Sequence, residues 1–268
     1  MCQLLGVSAR KPVSAAFALQ GFLLRGGETD QHADGWGIGY YQGEHARMLR
    51  EARAAAHSGL ALRIREQQIR SRNFIVHVRK ATRGGIAERN CHPFRRELWG
   101  RSWLFAHNGD LGSALPWAHG LFQPIGETDS ERAFCLLLNQ LVDRFGLRRP
   151  SDDVLDAAIS AAADRLAQHG SFNFLLSDGN RLYARCATQL FHVERRYPFA
   201  QVELIDCDQQ IDLARHNHLD DRISVIATQP LTRGETWHAF APGETKIFVR
   251  GAEQTTQAAA TPRPLIYA

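Results

Sequence analysis

The chain has 268 residues, 44% of them hydrophobic and 9% aromatic, enough apolar material for one large buried core or two small ones and for a soluble globular protein. Its 32 basic and 28 acidic residues leave a formal charge of +4, and the basic groups at 10–12, 94–97 and 147–150 are short and far apart, which argues against a surface that tracks nucleic acid. Five widely spaced cysteines, odd in number, argue against a disulfide framework and for a reducing cytoplasm.

In chain order, LLGV reads as a strand and 14–24 as a helix. SARKPVSAAFALQGFLL imitates a secretion signal, but Gln20 interrupts it and Arg25 stands where small residues would be needed, so a buried helix fits better than a leader or a membrane span. WGIGYY and ARMLR form a hairpin across Gln42, Gly43 and Glu44, 58–69 a helix, and FIVHVR and WLFAHN short buried strands. In TDSERAFCLLLNQLVDRF, residues Phe134, Leu137, Leu138, Leu141 and Phe145 fall on one helical face; Pro150 and Ser151 open a second helix to about Gln168. NFLLSD and RLYARC then make a strand–turn–strand unit, and FHVERR, ISVIAT and TKIFVR are further strands. No linker or repeat divides the chain, and the sequence from Gly251 onward reads as a loose tail. Helices packed on largely antiparallel sheets, in a single domain over 2–250 with a tail at 251–268, are the expectation.

Five stretches concentrate polar residues beside these strands: MCQLLG, HADGWG, VHVRKATRGG, FAHNGDL and GETDSE. If Met1 is removed, as it is before a small second residue, Cys2 carries a thiol (reference pKa about 8.5) and a free α-amine (about 7.7–8.0), a nucleophile and its base in one residue. Position 2 taken alone favours a buried thiol. Asn108 and Gly109 offer a side-chain and a backbone N–H to an oxyanion, although Asn-Gly is also a common tight turn; His107 and Asp110 flank them. Arg79, ending a strand, can hold a carboxylate in a fork or simply pair at the surface, and Thr82 adds a hydroxyl. Asp129 can meet an ammonium, while Thr128 and Glu131 fit a capping box that would account for the local acidity. A nucleophile with its base, an oxyanion pair, a carboxylate fork and an acid for an ammonium together describe a site for glutamine.

With Cys2 behind Met1, Arg79 with Ala81-Thr82, His107-Asn108-Gly109 and Thr128-Asp129 in order, the sequence resembles the class II glutamine amidotransferases, which are N-terminal-nucleophile hydrolases. HADGWGIGYY, NCHPF, RELWGR, GETDSERAF, FNFLLSDG and IATQPLT are similar to the stand-alone bacterial YafJ-like branch, over roughly 2–250. The resemblance implies a four-layer αββα sandwich and hydrolysis of glutamine through a γ-glutamyl thioester. It also implies roles: Cys2, Asn108 and Gly109 catalytic, with Arg79, Thr82, His107 and Asp129 binding substrate. Asp34 and Trp36 are expected either to line the pocket or to serve only as structure. Arg83 departs from the pattern, since some members carry a His after the threonine. No cofactor is implied. His32 near Asp34, Cys91-His92 and His216-x-His218 lack the spacing of a metal site, and none is expected. The expected partner is glutamine, with neither nucleic acid nor membrane; a separate protein bearing the ammonia acceptor site and a second copy in a homodimer are left open by the sequence. Two other readings use the same residues: hydrolysis of another γ-glutamyl or small-molecule amide, and a non-enzymatic ligand-binding module.

Overall fold

A computed structural model describes residues 2–254. The chain begins with β1 (Gln3–Ser14), α1 (Ala16–Phe22), the hairpin β2 (Gly35–Gln42) and β3 (His45–Glu51), α2 (Gly59–Glu66) and β4 (Arg70–Arg79). It continues through β5 (Phe94–Leu98), β6 (Arg101–Asn108), α3 (Asp129–Phe145) and α4 (Asp152–Ala167). The second half holds β7 (Asn173–Ser177), β8 (Arg181–Arg185), β9 (Phe191–Arg196), β10 (Gln201–Leu204), β11 (Gln210–Asp212), β12 (Arg222–Ala227), β13 (Thr232–Arg233), β14 (His238–Ala239), β15 (Thr245–Val249) and β16 (Ala252–Gln254).

Alternation along the strands sorts the core into three layers. On β1, Leu5 and Val7 join Leu19 and Phe22 of α1 and Phe74 and Val76 of β4, forming the layer beneath the short helices. The other face of these strands, carrying Leu4 and Ile75, meets Leu104 and Leu175 between two sheets. Beyond the second sheet, Phe105 and Phe174 pack on Phe134 and Leu138 of α3 and Ile159 of α4. The layer order is therefore helix, sheet, sheet, helix, the αββα sandwich. One sheet runs β14-β9-β12-β1-β4-β2-β3, the other β16-β15-β8-β7-β6-β5, and a small third sheet, β11-β10-β13, stands apart. Every strand pairing among the described residues is antiparallel.

Local chemistry fixes the helix ends. Ser58 and Thr128 accept from the N–H groups of Ala61 and Glu131, capping α2 and α3, and Gly146 at φ 62° ends α3 in a conformation glycine tolerates best. Among the described residues no helix is long and apolar enough to cross a membrane.

Several boundaries differ from the sequence expectation. β1 extends to Ser14, slipping register between Ser8 and Val13, so the signal-like segment is a strand end and a seven-residue helix followed by a single 3-10 turn. β5 escaped notice because its hairpin to β6 turns on Trp99-Gly100, both at positive φ, rather than on a recognisable Asn-Gly pair. The tail expected from Gly251 is also corrected: Ala252–Gln254 pair with β15 as β16, because Gly251 at φ 76° lets the chain turn back. Its remainder, 255–268, lies outside the described residues.

On the inter-sheet face β2 carries glycine at 35, 37 and 39 before Tyr41. A Cβ on Gly35 would lie 2.5 Å from Cys91 Sγ, and one on Gly37 would overlap the His92 carbonyl oxygen. Gly39 is met by Leu104 at 2.7 Å. The Cys91–Pro93 segment thus rests directly on strand backbone.

Candidate active site

Cys2 precedes β1, a central strand of its sheet, and Arg79 ends the neighbouring β4; Gln3 pairs with Val78, so the two side chains emerge side by side on the inter-sheet face. β6 from the opposing sheet delivers His107 and Asn108, Gly109 follows its end, and the capped start of α3 delivers Asp129. Cys2, Arg79, Thr82, His107, Gly109 and Asp129 line one pocket together with Lys80, Arg83, His92, Thr128 and Ser130. Its volume is about 20 Å³, room for roughly one water.

The Cys2 thiol lies 3.3 Å from both the N–H and the carbonyl oxygen of Lys80. Burial pushes its pKa up, partly offset by the Lys80 N–H and the nearby Arg79 guanidinium. The Asn108 side-chain amide donates to the Cys2 carbonyl oxygen, and Asn173 in turn donates to the Asn108 carbonyl at 2.9 Å. Gly109 must lack a side chain, since a Cβ there would overlap the Ser171 carbonyl oxygen.

His107 bridges three elements. Its Nε2 lies 3.0 Å from the Ser171 carbonyl, which only accepts, so that nitrogen carries the proton and Nδ1 accepts from the Ser130 hydroxyl at 2.8 Å. Burial pushes its pKa down, keeping the ring neutral. His92 Nδ1 accepts from the His107 backbone N–H at 3.4 Å, and the His77 ring packs against His92 at a 40° tilt with centroids 4.2 Å apart. Both are held well below the usual histidine pKa, first by burial and then by neighbouring positive groups.

Arg79 is buried and its guanidinium donates to the carbonyls of Arg83, Gly84 and Gly85 at 2.9, 3.2 and 3.2 Å, with no carboxylate partner among the described residues. The 80–85 loop therefore occupies the fork. Arg83 reaches across to Asp110 at 2.9 Å, tying this loop to the one that carries Gly109. On its far side Glu127 accepts from Arg89, Asn90 and the Gly85 N–H, which hold its carboxyl down to about 2. Asp129 accepts from the N–H groups of Leu111 and Ser130, both at 2.9 Å, while Thr128 caps α3. Capping and pocket duties coexist here on adjacent residues.

The HADGWG residues sit elsewhere. Asp34 stands behind the pocket, accepting from the Ala81 N–H at 2.8 Å while its own N–H donates to the Arg79 carbonyl, so it fastens the strand-to-loop junction. Trp36 is fully buried in the layer beneath α1 and α2 and donates to Glu51 at 3.2 Å; it faces away from Cys2 and forms no pocket wall. Among the described residues no group of three or more His, Cys, Asp or Glu is arranged to hold a metal.

A family model for the class II glutamine amidotransferases matches residues 1–266. The chain belongs to that family. It is 43% identical over 251 residues to YafJ of Escherichia coli, whose name assigns it to the glutamine amidotransferases; the match covers 94% of this chain and 98% of that one. A Haemophilus influenzae relative of similar name is 40% identical over 266 residues, covering 99% and 90%. A crystal structure from Pseudomonas aeruginosa, titled a predicted glutamine amidotransferase, superposes with a TM-score of 0.73 at 35% identity, over 95% of this chain and all of that one. Glutamine phosphoribosylpyrophosphate amidotransferase of B. subtilis shares the fold at 17% identity and a TM-score of 0.60, this chain matching 48% of its length. The sandwich is therefore that of the N-terminal-nucleophile amidotransferases.

Sequence reasoning missed the residues that orient this site rather than line it. Asn173, in the quoted FNFLLSDG, holds Asn108 by its backbone, and Ser130 and Ser171 set the His107 tautomer. The one available signal was a polar residue opening an otherwise apolar strand, as Asn173 opens β7.

Proposed function

We propose that the protein hydrolyses the side-chain amide of glutamine, with Cys2 as nucleophile and its α-amine, once Met1 is removed, as base. The reading is carried by one observation: residues from four separate segments, suited in turn to attack, oxyanion binding, carboxylate binding and ammonium binding, line a single pocket.

Glutamine enters by exchange. Its α-carboxylate displaces the 83–85 carbonyls from Arg79, which replaces three neutral acceptors with a charged bidentate one. Thr82 supports that carboxylate, the ammonium meets Asp129, and the amide carbon comes to the Cys2 thiol. As sulfur attacks, the thiol proton passes to the α-amine, and the carbonyl oxygen becomes an oxyanion facing the Asn108 amide and the Gly109 N–H. Collapse breaks the C–N bond, the α-amine returns its proton to the leaving nitrogen, and ammonia departs from a γ-glutamyl thioester. Water then attacks the thioester, giving glutamate and the free thiol.

The α-amine matters because burial pushes the thiol pKa up, leaving little thiolate at neutral pH without an adjacent base. His107 does not compete for this role, since its Nδ1 is engaged by Ser130 and its Nε2 proton by Ser171. It holds the Gly109 loop.

The test is ammonia release from glutamine combined with intact mass. Expected results are a chain lacking Met1, one adduct on Cys2 from a glutamine-mimicking electrophile such as diazo-oxo-norleucine, and no ammonia from Cys2→Ala. A fully active protein that retains Met1 would sink the mechanism. Several-hundredfold faster turnover of γ-glutamyl amides would reassign the substrate while keeping the residues.

A further inference from the structure

The two helical layers are unequal. α3 and α4, 17 and 16 residues long, span roughly 25 Å of one sheet, while α1 and α2, with 7 and 8, span only about 10–12 Å of the other. Part of the seven-stranded sheet is therefore left without a helix. The chain around β11 and the 213–221 loop passes over that bare area without filling it, leaving a cavity of about 700 Å³. This lies within the range of roughly 300–1,000 Å³ typical of small-molecule sites.

Its floor is Val7, Ile223 and Val225, on the sheet face opposite Leu4 and the Cys2 pocket, and the two cavities share no lining residue. Leu213 and Ile211 close the side away from the sheet. The cations around it are not equivalent. Lys11 is held by Asp220 at 2.7 Å and by Asp221, an acid that also lines the cavity, at 3.5 Å, and Arg195 is forked onto Glu235 at 2.6 and 3.0 Å. Arg70 is exposed, bonds only to the Pro12 carbonyl at 2.8 Å, and has no carboxylate partner among the described residues. His216 and His218 also line the cavity.

We propose that this cavity is a second ligand site, taking a small amphipathic anion whose apolar body covers the valine and isoleucine floor while its anionic group meets Arg70. The apolar floor supplies affinity by removing hydrocarbon from water, and the unneutralised guanidinium selects an anion over a neutral body of the same shape. The site is independent of the glutaminase reading, and binding alone tests it.

The probe is anilinonaphthalene sulfonate, titrated by fluorescence against the full chain beside neutral phenylnaphthylamine. Saturable binding at one site is expected. Arg70→Gln, a change at an exposed residue, should weaken the sulfonate about tenfold and leave the neutral probe within twofold, the loss of one charge-assisted contact. Ala16→Trp, which fills the cavity from a partly exposed position, should remove both probes from the site while circular dichroism stays unchanged. Octanoate and octyl phosphate then compete in separate arms; whichever displaces the sulfonate identifies the headgroup as carboxylate or phosphate. Absence of saturable single-site binding, equal affinity in wild type and both variants, or displacement by neither competitor would overturn the proposal.

Discussion

Around Cys2 the side chains leave about 20 Å³, and Arg79, His107 and Asp129 there already have partners; on the opposite face of β1, Val7 floors about 700 Å³. The contrast is between exchange and burial. In the first pocket a ligand gains contacts only by displacing equivalent ones, so its residues act through geometry and single deletions are expensive. In the second a ligand gains mainly by covering apolar surface, so no single residue dominates.

The sharpest way to break this contrast is at Cys2, the proposed nucleophile. Cys2→Ala is expected to lower glutaminase turnover by more than about 10⁴-fold, measured as ammonia release, with the far cavity's probe affinity unchanged. Asn108→Ala should cost about 10²–10³-fold in kcat, the usual effect of removing one oxyanion donor. Arg79→Lys replaces a fork with a point charge; kcat/KM should fall by about 10–100-fold, chiefly through KM. A fall confined to kcat would place Arg79 outside carboxylate binding.

The Cys2 region also carries a response to acid. His77, His92 and His107 are buried with lowered pKa values. In the unfolded chain each takes up a proton near pH 6.5, whereas the folded state resists it, so the stability they contribute is complete above that pH and is lost as pH falls below it. Melting temperature should therefore drop between pH 7 and pH 5, as unfolding free energy falls by up to about 1.4 kcal/mol per pH unit for each ring still neutral. His77→Phe, at a ring with both nitrogens unpartnered among the described residues, should flatten that slope without loss at pH 7.5. The smallest effect is expected at the Arg83–Asp110 pair, which is solvent-exposed on both sides. Arg83→Ala should change stability by less than about 1 kcal/mol, and KM should shift only a few-fold as the 80–85 loop is released.

The residues proposed to meet substrate were legible because strand ends and caps concentrate polar groups where apolar periodicity stops, as at Arg79, Asn108 and Asp129. Trp36 was not. Its strand is buried on both faces, so a period of two says that alternate residues diverge without saying which face carries the chemistry. The His107 role was equally hidden, because the partners that fix its tautomer, Ser130 and Ser171, lie 23 and 64 residues away in the chain. The small third sheet escaped because its strands are only two to four residues long. The larger cavity left no motif at all, since it arises from helices too short to cover a sheet.

The glycine face of β2 carries its own experimental fingerprint. In a saturation-mutagenesis screen for folded protein, positions 35, 37 and 39 should accept almost nothing but glycine, most strictly at 37 where backbone rather than a movable side chain blocks the way. Positions 36, 38 and 40 should tolerate exchange among bulky apolar residues. Such a two-residue beat would report, from survival counts alone, how closely the two sheets approach.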